Sequence, residues 1–81
     1  MVVSIQFLGL QRAVTETNSI EMPVSDGAKV SAALEYVRRK YPTLHLDNGD
    51  ILITVNQEIA SLEKTLKPGD AVSFIPFVGG G

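Results

Sequence analysis

The sequence predicts an α+β domain, a mixed sheet of four to five strands with one main helix packed across it. Three observations carry that prediction. Apolar and polar residues alternate near the start, in the middle and near the end, the period of strands with one buried face. One stretch, Val30 to Tyr41, switches to the helical period. Signals rich in Gly, Pro, Asn and Asp separate these segments.

Val3, Ile5 and Phe7 alternate with Ser4 and Gln6, which gives the first strand a core face. Gly9 starts a turn, and residues 12–18 are polar apart from Ala13 and Val14. Alternation resumes at Ile20, Met22 and Val24, so the simplest arrangement is an antiparallel hairpin. Pro23 is tolerated there at a strand end or on an edge.

Ser25-Asp26-Gly27 breaks the second strand and offers Ser25 or Asp26 as a helix N-cap. Val30, Ala33, Leu34, Val37 and Tyr41 then share one helical face, with Ser31, Glu35 and Arg38 directed elsewhere. Arg38, Arg39 and Lys40 complement the helix dipole in the last turn, and Pro42 stops the helix.

Residues 44–50 form a loop with Asn48-Gly49-Asp50 at its tip. Ile51, Ile53 and Val55 make a third strand, Asn56-Gln57-Glu58 a tight turn, and Ile59 begins a short return strand. Leu62 and Leu66 flank charged residues in an irregular or single-turn segment. Lys67-Pro68-Gly69-Asp70 is a strong turn signal, since proline presets one dihedral and glycine supplies positive φ. Val72, Phe74 and Pro76 alternate through the final strand. Parallel pairing of the first and last strands at the sheet centre would make this a β-grasp roll.

Composition narrows the chemistry. At 81 residues, residues 1–78 are expected to form a single domain with one modest core, followed by a glycine tail at 79–81. The chain has no cysteine and one histidine, which removes disulfides, thiolate chemistry, iron–sulfur clusters and cysteine-ligated zinc. Seven Lys and Arg against nine Asp and Glu, a formal charge of −2, argue against nucleic acid. The first residues do not read as a signal peptide, and no stretch approaches membrane-spanning length, so a soluble cytoplasmic domain without a membrane partner is expected.

No catalytic constellation emerges. His45 stands alone, which favours a solvated side chain over a general base. Asp47 and Asp50 faintly resemble an oxygen-rich metal loop but lack the ligand count and closing glutamate of a calcium site, so no metal is expected. Gly79-Gly80-Gly81 is no phosphate loop, because neither a strand-to-helix transition nor a lysine follows it.

The tail itself carries a sharper expectation. Terminal glycines are most often a frayed end. Here, however, an apolar strand passes abruptly into residues without side chains. Glycine lets a backbone thread a narrow channel, and such an arm presents one chemical group, the carboxylate of Gly81. Its ordering entropy has to be offset by contacts in whatever receives it. Ile75 and Phe77 share the parity opposite to Val72 and Phe74, and on a regular strand they form an apolar docking patch beside the arm.

The ending Phe74-Ile75-Pro76-Phe77-Val78-Gly79-Gly80-Gly81 resembles the C-terminus of the MoaD/ThiS sulfur-carrier family, ubiquitin-like β-grasp proteins that end in Gly-Gly. Val55-Asn56-Gln57-Glu58, Leu66-Lys67-Pro68-Gly69-Asp70 with Val72 and Phe74, and Leu34 with Lys40-Tyr41-Pro42 extend the resemblance along the chain, toward the MoaD branch. Phe77 replaces a proline common in that branch, and Gly79 replaces a small polar residue.

The resemblance implies a sulfur carrier rather than an enzyme. A ubiquitin-activating-type adenylyltransferase would adenylate Gly81 with ATP and Mg²⁺, cofactors used by that partner and not bound here. A persulfide would then convert Gly81 to a thiocarboxylate. Gly80 and Gly81 would enter the partner's channel, with Gly79 spanning the approach. The sulfur acceptor implied is the large subunit of molybdopterin synthase, in molybdenum cofactor biosynthesis. Thiamine or tRNA thiolation, a ubiquitin-like protein modifier joined to lysines, and a plain interaction module are the alternatives.

Overall fold

The computed structural model describes residues 1–44, 46 and 51–76. In chain order these form β1 (Val2–Gln6), α1 (Gln11–Thr15), β2 (Ser19–Pro23), α2 (Val30–Lys40), a 3-10 turn (Pro42–Leu44), β3 (Ile51–Val55), β4 (Glu58–Ile59) and β5 (Ala71–Pro76). The sheet order is β2-β1-β5-β3-β4. Central β1 and β5 run parallel, Ser4 opposite Ala71 and Gln6 opposite Ser73, while the outer pairings are antiparallel. This is the β-grasp roll that parallel pairing of the first and last strands makes, with α2 packed on one face.

Period decides what is buried. Val3, Ile5, Phe7, Met22, Ile51, Ile53, Val55, Val72 and Phe74 turn to the core, where Val30, Ala33, Leu34 and Val37 of α2 meet them. Burying each large aliphatic side chain contributes about 1.5–3 kcal/mol. Tyr41, the fifth residue of the helical stripe, is half-buried at the C-cap and packs edge-on against Phe7, with ring centroids 5.5 Å apart.

Two local expectations need correction. Ser25 and Asp26 do not cap α2, because the helix starts at Val30 with Lys29 in the cap position and no side-chain cap bond. The loop after β4 caps it instead: Val30 N–H donates to Lys64 O at 2.9 Å and Ser31 N–H to Leu62 O at 3.0 Å. Residues 12–18, for whose polar run the sequence pattern offered no element, begin inside the short helix α1. Its buried residues are polar Gln11 and Thr15, while Leu10 and Val14 are exposed. The usual amphipathic signal is thus reversed.

Main-chain bonds at both ends of the β1–β2 hairpin set its parity. Val24 N–H donates to Met1 O and Phe7 N–H to Asn18 O, both at 2.8 Å. Even-numbered residues of β2 therefore bond to β1, and Ser19, Glu21 and Pro23 turn their main-chain groups to the free edge. Pro23 has no N–H to offer there, in keeping with its expected place on an edge.

Candidate functional site

The site is built where β5 leaves the sheet. On its β3 side, β5 stays paired as far as Ile51 opposite Pro76. On its β1 side, pairing ends at Gln6 opposite Ser73. Asn56 N–H donates to Ala71 O at 2.7 Å, so odd-numbered residues of β5 bond toward β3 and even-numbered ones toward β1. Pro76 thus lacks its N–H on the side where β1 has already departed, and no ladder bond is forfeited.

Beyond the end of β1, Gln11 takes over. Its Nε2 donates to Phe74 O at 2.6 Å, a buried bond, and its Oε1 accepts from Leu8 N–H at 3.1 Å.

The opposite end of β5 is held by a second polar cluster. Asn56 Nδ2 donates to Asp70 Oδ1 at 2.9 Å, Asn56 Oδ1 accepts from Ala71 N–H at 2.9 Å, and Lys67 N–H donates to Asp70 Oδ2 at 2.8 Å. The Lys67 N–H holds the Asp70 carboxyl below its ordinary range, with burial opposing and the Asn56 amide and the charges of Lys64 and Lys67 reinforcing. The Lys67-Pro68-Gly69-Asp70 turn is thereby joined to the two-residue turn after β3. Gly69 at φ +82° supplies the left-handed residue that the sequence signal implied.

On the sheet face away from α2, Ile75 of β5 lies opposite Leu52 of β3, and both are half-buried. Thr54 pairs with Ile59 of β4, a residue 77 % exposed. Ile75, Leu52 and Ile59 thus form an apolar strip on the open face. Sequence reasoning had Ile75 on this face. It missed Leu52, whose parity in β3 was the available signal, and Ile59, whose strand is two residues long. The expected companion Phe77 lies outside the described residues, as do Gly79, Gly80 and Gly81 and the loop residues His45, Asp47 and Asp50.

Among the described residues no cluster of three or more His, Cys, Asp or Glu is placed to hold a metal ion. No described helix is long and apolar enough to cross a membrane. A groove of about 440 Å³ between β2 and α2 is lined by Met22, Val24, Ala32, Tyr36 and Arg39 among others. It lies by the start of β1, the far end of the sheet from where β5 departs.

Comparison with known proteins agrees with this architecture. The chain matches the ThiS family over residues 5–81. It is 38% identical over 80 residues to the molybdopterin synthase sulfur carrier subunit of Mycobacterium tuberculosis, covering 98% of this chain and 96% of that protein. The crystal structure of SAMP1 from Haloferax volcanii superposes with a TM-score of 0.83 at 21% identity, covering both chains completely. Subunit 1 or 2 of molybdopterin-converting factor from Helicobacter pylori, solved as the complex of the two subunits, also covers both chains completely, with a TM-score of 0.64 at 23% identity. At these identities the two structures establish the shared fold.

Proposed function

Because this chain belongs to the ThiS family of sulfur carriers, we propose that it carries sulfur as a thiocarboxylate on Gly81 for molybdopterin synthesis. The match running through residue 81, together with the near full-length 38% identity to a named sulfur carrier subunit, carries this reading. The protein is the small, non-catalytic member of its pathway, acting in the cytoplasm.

A carboxylate resists attack by nucleophiles because its charge is delocalised and its oxygen is a poor leaving group. In the reading proposed, a ubiquitin-activating-type partner uses ATP and Mg²⁺ to form an acyl adenylate at Gly81, releasing pyrophosphate. A protein persulfide attacks that carbonyl and displaces AMP, giving an acyl disulfide. A thiol then cleaves the sulfur–sulfur bond, leaving the thiocarboxylate on Gly81 and a disulfide on the donor side. This chain contributes the carbonyl carbon and an arm, Gly79 to Gly81, narrow enough to enter an active-site channel.

The acceptor proposed is the large subunit of a molybdopterin synthase. Its counterpart is the two-subunit assembly named for the Helicobacter pylori structure. Ile75, with Phe77 beyond it, Leu52 and Ile59 would provide the apolar contact that brings partner and arm together. Such a contact has to be modest and reversible, since the carrier visits an activating enzyme and an acceptor in turn.

Intact mass is the direct test. Incubation with the cognate adenylyltransferase, ATP, Mg²⁺ and a persulfide donor should exchange one oxygen for sulfur on the last residue. Deletion of Gly81 should abolish the exchange and leave the fold unchanged. Attachment to lysines of other proteins, with no sulfur on the free chain, would replace this reading with that of a modifier.

A further inference from the structure

We infer that Gln11 is a positioning residue for the C-terminal arm, its side-chain amide serving as an extra rung of the sheet at the point where β1 ends. The inference rests on the sulfur-carrier reading and adds to it the group that fixes where the arm begins.

The parallel ladder between β1 and β5 advances in steps of two. Ser4 N–H donates to Asp70 O at 2.8 Å, so successive rungs fall at Gln6 with Val72 and at Leu8 with Phe74. At the last of these the direct bond is replaced. Leu8 N–H donates to Gln11 Oε1, and Gln11 Nε2 donates to Phe74 O. One primary amide, offering an acceptor on one side and a donor on the other, stands where the two backbones have moved apart.

Burial makes this more than a surface contact. Gln11 is 7 % exposed, faces inward from α1, and bonds a residue 63 positions away. Without that donor, Phe74 O would be a buried acceptor with no ladder partner on the β1 side. The last carbonyl of β5 held on its β1 side would then retreat from Phe74 to Val72, one rung earlier. An arm with a longer loose base leaves in the productive direction for a smaller fraction of the time. Apparent affinity for the activating enzyme falls by that fraction.

Two variants test this in the full chain. Gln11→Leu keeps the approximate size but removes donor and acceptor. Gln11→Glu keeps the acceptor for Leu8 N–H but as a carboxylate cannot donate to Phe74 O. Both should speed amide exchange at Ile75 by about tenfold while Val3 and Ile5 keep the wild-type rate. Both should raise the KM of the adenylyltransferase for the carrier by about three- to tenfold with kcat unchanged.

Protonation should rescue Gln11→Glu, because a carboxylic acid can donate where a carboxylate cannot. Its exchange ratio to wild type at Ile75 should therefore return toward one in acid, while that of Gln11→Leu should not. Unchanged exchange at Ile75 in both variants would overturn the inference. So would faster exchange with KM unchanged, which would leave Gln11 a structural residue and sulfur carriage intact. If Gln11→Leu fails to fold, Gln11→Glu across pH decides alone. A wild-type chain that the enzyme does not activate would overturn both the inference and the function it rests on.

Discussion

Asn56 Nδ2 donates to Asp70 Oδ1 at 2.9 Å, and this bond ties the turn after β3 to the turn before β5. Asn56 also bonds Ala71 through its main chain and its side chain, and removal of its amide strands two partners at once, Asp70 Oδ1 and Ala71 N–H. Asn56→Ala should destabilise the domain by about 1–3 kcal/mol, the usual consequence of stranding hydrogen-bonded polar groups. Thermal unfolding should fall by about 4–8 °C for each kcal/mol lost. The activating enzyme should still accept the folded variant.

Acid should expose the contribution of Asp70. Its carboxyl sits below its ordinary value of 3.8, first because it accepts from Lys67 N–H. A depressed carboxylate adds stability that is fully present above the unfolded value and is lost as pH falls through the lowered folded value. The melting gap between wild type and Asp70→Asn should accordingly be constant near neutrality, narrow below about pH 4, and close in stronger acid. A gap that stays constant across this range would show that the charge of Asp70 contributes nothing.

Asn56 and Gln57 adopt φ values of 53° and 70°, the all-positive pattern of a type I′ hairpin turn. Asn suits that conformation, whereas Gln bears its strain. Gln57→Gly should therefore stabilise the chain by about 1 kcal/mol, read as a rise in denaturant midpoint at unchanged slope.

Ile59 is exposed on the open face and contributes little to the core. Ile59→Asp should leave the unfolding free energy within about 0.5 kcal/mol of wild type. It should weaken binding to the activating enzyme or to the synthase large subunit by about tenfold or more, measured by calorimetry. Equal binding by wild type and variant would remove Ile59 from the contact surface.

The sequence revealed those elements whose burial follows a simple period. β1, β2, β3, β5 and α2 each present apolar residues at spacing two or at helical spacing, and each lies where that spacing puts it. α1 was hidden because its inward residues are Gln11 and Thr15 and its apolar residues point out. The cap of α2 was hidden for another reason: its acceptors are the main-chain oxygens of Leu62 and Lys64, which no side-chain pattern encodes. The same limit applied at the site. Ile75 could be placed by parity, but the bond from Gln11 to Phe74 depends on the chain folding back across 63 positions.

The free edge of β2 carries Pro23 where an outward N–H would otherwise stand, and the opposite edge, β4, is two residues long. Neither border is a good template for another strand. A protein displaying Ile59, Leu52 and Ile75 on one open face is exposed to self-association whenever its partners are scarce. With both borders poor at pairing, crowding would bring copies together face to face, through side chains that separate readily, rather than edge to edge into a growing sheet. A pool of waiting carrier would then remain recoverable.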